Sequence, residues 1–228
     1  MHQQRRRLVT LAAATWAIGL APRASAAPAS DIEAASGLRA ALERGAAAAV
    51  DLLGRPDGFL GNPKVRIPLP GFLKDAAKLA KVTGQQKRVD ELVTAMNRAA
   101  EAAVPEAKAL LVSAVKGMNV NDARRIVSGG SDSVTKFFAD KTREPLGERF
   151  LPIVKRETER VDLAERYNAV AGKVAGLGIG KKDDTNIERY VTRKALDGLY
   201  LLIGEEEKKI RSNPLATGSD LLARVFGR

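Results

Sequence analysis

The sequence predicts an all-α fold: a single-domain helical bundle of about nine helices around one long, central buried helix. Three observations carry this. Alanine and leucine are frequent while β-branched and aromatic residues are not, with aromatics only 4% of the 228 residues, and such a composition favours helix over sheet. Most segments place their apolar residues at helical spacing, with glycine or proline between them. Asn186 to Arg211 is apolar on more than one face. At about 100° per residue, Ile187, Tyr190, Val191, Ala195, Leu201 and Leu202 fall on one side, and Leu196, Leu199, Tyr200 and Ile203 cover most of the other. A helix apolar nearly all round is buried by neighbours on several sides.

Residues 1–26 read as an export signal. Arg5, Arg6 and Arg7 form a basic head, Leu8 to Leu20 an apolar stretch too short to span a bilayer comfortably, and Ala24-Ser25-Ala26 a small-residue cleavage site. Arg5-Arg6-Arg7-Leu8-Val9 fits a twin-arginine signal, and a general secretory signal fits equally. Cleavage near Ala26 would leave residues 27–228 as one helical domain, periplasmic or secreted. It would remove four arginines and no acid, lowering the net charge from +11 to +7.

From the new terminus, Ser30 to Leu53 reads as an Ala-rich helix weakened by Gly37 and Gly45. The four prolines of Gly54 to Gly71 exclude a regular helix, and Lys64-Val65-Arg66-Ile67 alternates so that Val65 and Ile67 point inward. This long linker reads as a strap across the bundle. Phe72 to Val82 is expected to be a short helix, and Gln85 to Val104 a strongly amphipathic one. Pro105 restarts a helix to Lys116. Asn119, with Asp122 three residues on, caps a helix to Val127. Gly129-Gly130 breaks the chain. Ser131 or Asp132 caps a helix to Lys141, Pro145 opens another, and Pro152 should kink or restart it. Val161 to Val174 reads as a helix, Gly176 to Asp184 as a loop, and Leu221 to Phe226 as a short terminal helix.

The chain has no cysteine, and its one histidine and one tryptophan, His2 and Trp16, lie within residues 1–26. A processed chain would therefore lack disulfides, thiol nucleophiles, imidazole bases, serine triads and ordinary zinc or copper sites. No cofactor and no metal site is expected; any metal would be a hard ion held by oxygen.

Three segments carry a resemblance: Gly61-Asn62-Pro63-Lys64-Val65-Arg66-Ile67-Pro68-Leu69-Pro70, Met96-Asn97-Arg98-Ala99-Ala100-Glu101-Ala102-Ala103, and Lys194-Ala195-Leu196-Asp197-Gly198-Leu199. With Tyr167-Asn168 and the closing Asp220-Leu221-Leu222 and Val225-Phe226-Gly227, they resemble a bacterial exported family known as domain of unknown function 4197. The resemblance covers nearly all of the chain after residue 26. It implies an exported helical protein and brings no catalytic or ligand residues.

Ser133-Val134-Thr135-Lys136 matches the S-x-x-K pattern of serine penicillin-recognising enzymes, but no S-D-N or K-T-G element follows, so helix capping is the expected role. Gly176 to Lys181 lacks the Walker spacing. Asp184, Asn186 and Glu188 begin like a calcium loop, but Arg189 and Ala195 stand where it needs Gly and Glu, so a capping role is expected. Asp90, Asn97 and Glu101 line one helix flank, suited to a cation or an acid–base pair, or to interhelical hydrogen bonds. Tyr190, Lys194 and Asp197 share an arc about 60° wide, with Gly198 beside them. Lys194 and Asp197 can pair there, fixing helix register or flooring a polar pocket. The basic surplus (Lys74, Lys78, Lys81, Lys87, Arg88, Lys181 and Lys182) suits an anionic neighbour, and outside the cytoplasm that means an anionic lipid or polymer surface rather than nucleic acid. The expected function is a non-catalytic binding or interaction module of the cell envelope, not an integral membrane protein after cleavage. The alternative is a hydrolase using carboxylate, Lys or Tyr side chains, without metal or with an oxygen-bound ion.

Overall fold

The structure is a computed structural model that describes residues 31–73, 84, 86–159, 167 and 186–213. Among these residues it is all-helical, with six α-helices: α1 (Asp31–Leu53), α2 (Gln86–Ala103), α3 (Ala107–Lys116), α4 (Val120–Ser128), α5 (Ser133–Glu159) and α6 (Ile187–Ser212). One-turn 3-10 helices stand at Gly71–Leu73 and Val104–Glu106. The expected leader at 1–26, the helix at 221–226, all but Tyr167 of the helix at 161–174, most of the one at 72–82, and the loop at 176–184 lie outside the described residues. Among those residues no helix is long and apolar enough to cross a membrane.

The number of helices falls short of the expected nine partly because two expected helices are one. Ser133 to Glu159 runs unbroken with Pro145 and Pro152 inside it. Each proline denies a helical hydrogen bond to the carbonyl four residues back. Those residues, Lys141 and Glu148, are exposed, on the side of a helix where water can take the missing donor's place. The buried residues are Val134, Phe138, Thr142, Leu146, Phe150, Val154 and Thr158. Each lies four after the last, so the stripe advances about 40° per step and winds about 240° round the helix. A winding stripe lets α5 touch α2, α3, α4 and α6 in turn.

α5 and α6 are the most extensively packed pair, and α6 also packs on α1 and α2. As expected, α6 is buried on several faces, with Ile187, Val191, Ala195 and Leu199 fully enclosed. Leu201 departs from that pattern and is 46% exposed. α2 contributes Met96, Ala99, Ala100 and Ala103, none of them exposed; three alanines let its neighbours approach closely. The Asn119 cap forms as a full capping box. Its Oδ1 accepts from Asp122 N at 2.8 Å, and the Asp122 carboxylate accepts from Asn119 N at 3.2 Å. Asn186 caps α6, accepting from Arg189 N at 2.8 Å.

Candidate functional site

The three segments that carry the family resemblance converge on one place, where the strap lies on α2 and α6. The strap leaves α1 through a tight turn. Asp57 takes a left-handed φ of 64°. Gly58 lies so close to the end of α1 that a Cβ there would stand 2.4 Å from Leu53 O, a space no other residue fits. Phe59, Val65 and Ile67 then turn inward, Phe59 with no exposed surface.

Polar side chains of α2 hold the strap by its main chain. Glu101 Oε1 accepts from both Phe59 N and Leu60 N at 3.0 Å. Its Oε2 meets Arg98 Nη1 at 2.7 Å, and Arg98 Nη2 reaches Asp57 Oδ1 at 2.8 Å. The Glu101 carboxylate raises the Arg98 guanidinium above its ordinary range, with Asp57 adding to the effect. One turn earlier, Asn97 reads both polar groups of Ile67. Its Oδ1 accepts from Ile67 N at 2.8 Å, and its Nδ2 donates to Ile67 O at 3.0 Å and to Val93 O at 2.7 Å. Asn97 is fully buried, so these bonds are shielded from competing water. Asn97 thus supplies the pair of bonds that a neighbouring strand would give. From α6, Tyr190 Oη donates to Pro68 O at 2.9 Å. Lys64 crosses to Glu205 at 2.7 Å. Gly198 is what lets the strap this close: a Cβ there would lie 2.7 Å from Phe59 Cε1 and 3.3 Å from Val65 Cβ.

The structure therefore unites Asn97, Glu101, Tyr190 and Gly198 as strap anchors. Asp90 is exposed and bonds Gln86 at 2.8 Å, apart from the others. Asp197 is half-exposed and pairs with Arg143 of α5 at 3.0 Å, with Arg193 4.0 Å away. Lys194 is half-buried one turn before it. The arginines also cover rings: Arg193 lies 5.4 Å from the Tyr190 centroid and Arg143 4.9 Å from that of Tyr200. Burial raises the Tyr200 phenol above its ordinary range, against the lowering effect of its bond to Thr142 Oγ1 at 2.8 Å.

A second buried polar node had no clear signal in the sequence. Glu207 ends the run Glu205-Glu206-Glu207, yet it alone is buried. Its carboxylate accepts from Val134 N at 3.2 Å and Thr135 N at 3.3 Å, with Ser133 Oγ 3.3 Å away, capping α5 from another helix. Arg211, one turn on, bonds Glu207 Oε1, Ile126 O and Ser133 Oγ. The clue was position, because Glu207 lies one turn after the apolar Ile203 with Arg211 one turn beyond.

This node explains the S-x-x-K pattern. Ser133 Oγ donates to Ile126 O at 2.9 Å and accepts from Arg211. Lys136 pairs with Asp132 at 2.8 Å, and that bond raises its ammonium above the ordinary lysine range. A lysine so held stays protonated and is a poor base. Both residues line a surface groove of about 270 Å³ with Asp122, Arg125, Phe137 and Lys141. An apolar cavity of about 20 Å³ lies between α1, α5 and α6, against Leu38, Leu42, Phe138 and Ile203. Among the described residues there is no group of three or more carboxylates, histidines or cysteines that could hold a metal ion.

A family model described as a protein of unknown function (DUF4197) matches residues 28–227. Neither the curated proteins nor the solved structures hold a match.

Proposed function

We propose a non-catalytic binding role in the cell envelope for this chain, which belongs to the DUF4197 family. The observation that carries the reading is the strap. Glu101 and Tyr190, two side chains suited by sequence to acid–base work, and with them Asn97, all hydrogen-bond strap main chain instead. The Glu101 carboxylate is fixed in place by two main-chain donors and a guanidinium. The result is a long loop fixed from below, with Arg55, Lys64 and Arg66 exposed on its outer side, and loops positioned by a rigid scaffold commonly carry binding function. The leader-like residues 1–26 and the basic charge support an envelope location with an anionic neighbour.

The test is twofold. The full chain, expressed with its leader, is fractionated, and the purified chain from Ala27 is screened with envelope components and with hydrolase substrates. Retention in the envelope with saturable binding and no turnover is the expected result. Turnover abolished by substitution of a single carboxylate, Lys194 or a tyrosine would replace this reading with the hydrolase. Recovery of an unprocessed chain in the cytoplasm would contradict the location.

A further inference from the structure

Leu201 is the one large hydrophobic side chain that stands exposed among the described residues. It lies on the outer face of α6 between Lys194 and Lys208, seven residues from each. Seven residues are about two turns, or about 10.5 Å, so the three side chains form a nearly straight stripe. Two carboxylates share this face, and each is already answered by a cation. Asp197 meets Arg143 and Arg193, and Glu205 meets Lys64. Lys208 is exposed and Lys194 half-buried, a setting that lets the lysine stem cover apolar surface while the ammonium reaches outward. With those carboxylates answered, Lys194 and Lys208 flank one protruding leucine.

We propose, resting on the binding-module reading, that this face docks on an anionic phospholipid bilayer. Charge complementarity selects an anionic partner, and the leucine selects the bilayer. A soluble polyanion neutralises the lysines but offers Leu201 nothing to bury in. The interface of an anionic membrane takes both, headgroups around the cations and the side chain at the acyl boundary. Lys64 ties the strap to the edge of the same face through Glu205, so strap and stripe meet the surface together.

The experiment is vesicle co-sedimentation of the chain from Ala27, which contains the span matched by the family model. Vesicles are of phosphatidylcholine alone or with about 30% phosphatidylglycerol, an anionic lipid. Binding is expected to the anionic vesicles only, and to fall between about 0.1 M and about 0.5 M salt. Lys194→Gln and Lys208→Gln should each weaken it about fivefold, and Leu201→Ser about fivefold again. Lys116→Gln, exposed on α3, removes the same charge elsewhere and should leave binding within about twofold. Circular dichroism confirms that each variant is folded.

Equal losses for Lys116→Gln and Lys208→Gln would overturn the surface, because net charge alone would then explain the binding. Displacement by soluble polyphosphate together with an unchanged Leu201→Ser variant would overturn the bilayer in favour of a polymer. No binding to either vesicle would overturn the lipid partner. Envelope retention tests the module reading separately, so the two can fail independently.

Discussion

Replacing Glu101 with alanine removes the acceptor for two strap amides and the partner of Arg98 at once. Hydrogen bonds to a charged group contribute about 1.5–3 kcal/mol each. Phe59 N is buried and takes the upper part of that range; Leu60 N is part-buried and takes the lower. The Arg98 side chain is 43% exposed, so its ion pair adds no more than about 1 kcal/mol. The expected loss is about 5 kcal/mol. Glu101→Gln keeps an acceptor of the same reach and loses the charge, which should cost about 1–2 kcal/mol. Urea unfolding followed by circular dichroism separates the two, and a chain of this size should lose about 10 °C in Tm for the alanine variant. If Glu101→Ala and Glu101→Gln destabilise equally, or both by less than about 1 kcal/mol, the carboxylate is not what anchors the strap.

Gly198→Ala sets a methyl 2.7 Å from Phe59 Cε1. It should cost about 1–3 kcal/mol by overpacking, with recovery when Phe59→Leu is added; additive losses in that double-mutant cycle would separate the two sites. Glu207→Ala leaves the first turn of α5 and Arg211 without their shared carboxylate, an expected loss of about 3–5 kcal/mol in urea unfolding. The Asp122 carboxyl is held below its ordinary range, chiefly by the Asn119 amide and then by Arg125. Its contribution is therefore present above the unfolded Asp pKa and lost as pH falls through the lowered native value. Asp122→Ala should cost about 1 kcal/mol near neutrality and flatten the acid limb of stability against pH, whereas an unchanged acid limb would assign that loss to other carboxylates.

Much of the fold was legible because local signals agree with it. α2 and α6 have clear periodicity, and Asn119 with Asp122 spells the cap of α4. α5 was not legible as one helix. Its buried residues recur every four positions, so no single face stands out, and its two prolines read as breaks when tertiary packing holds the helix through them. At the site, the sequence pointed to Asn97, Glu101, Tyr190 and Gly198, and the inward turn of Val65 and Ile67. Their joint role depends on where the strap runs, which no spacing within one helix encodes. The same limit applies to Asp197. Helical spacing offered Lys194 as its partner, and the fold brought Arg143 from α5. Glu207 was hidden because three consecutive glutamates look like one solvated run, and only one of them faces α5.

The strap held by its main chain is the centre of this account, and amide hydrogen exchange reads it residue by residue. The amides of Phe59, Leu60 and Ile67, which donate to Glu101 and Asn97, should exchange as slowly as those in the buried middle of α6, opening only with the whole domain. Exchange of these three amides at the rate of an unprotected surface loop, while α6 stays protected, would contradict the account.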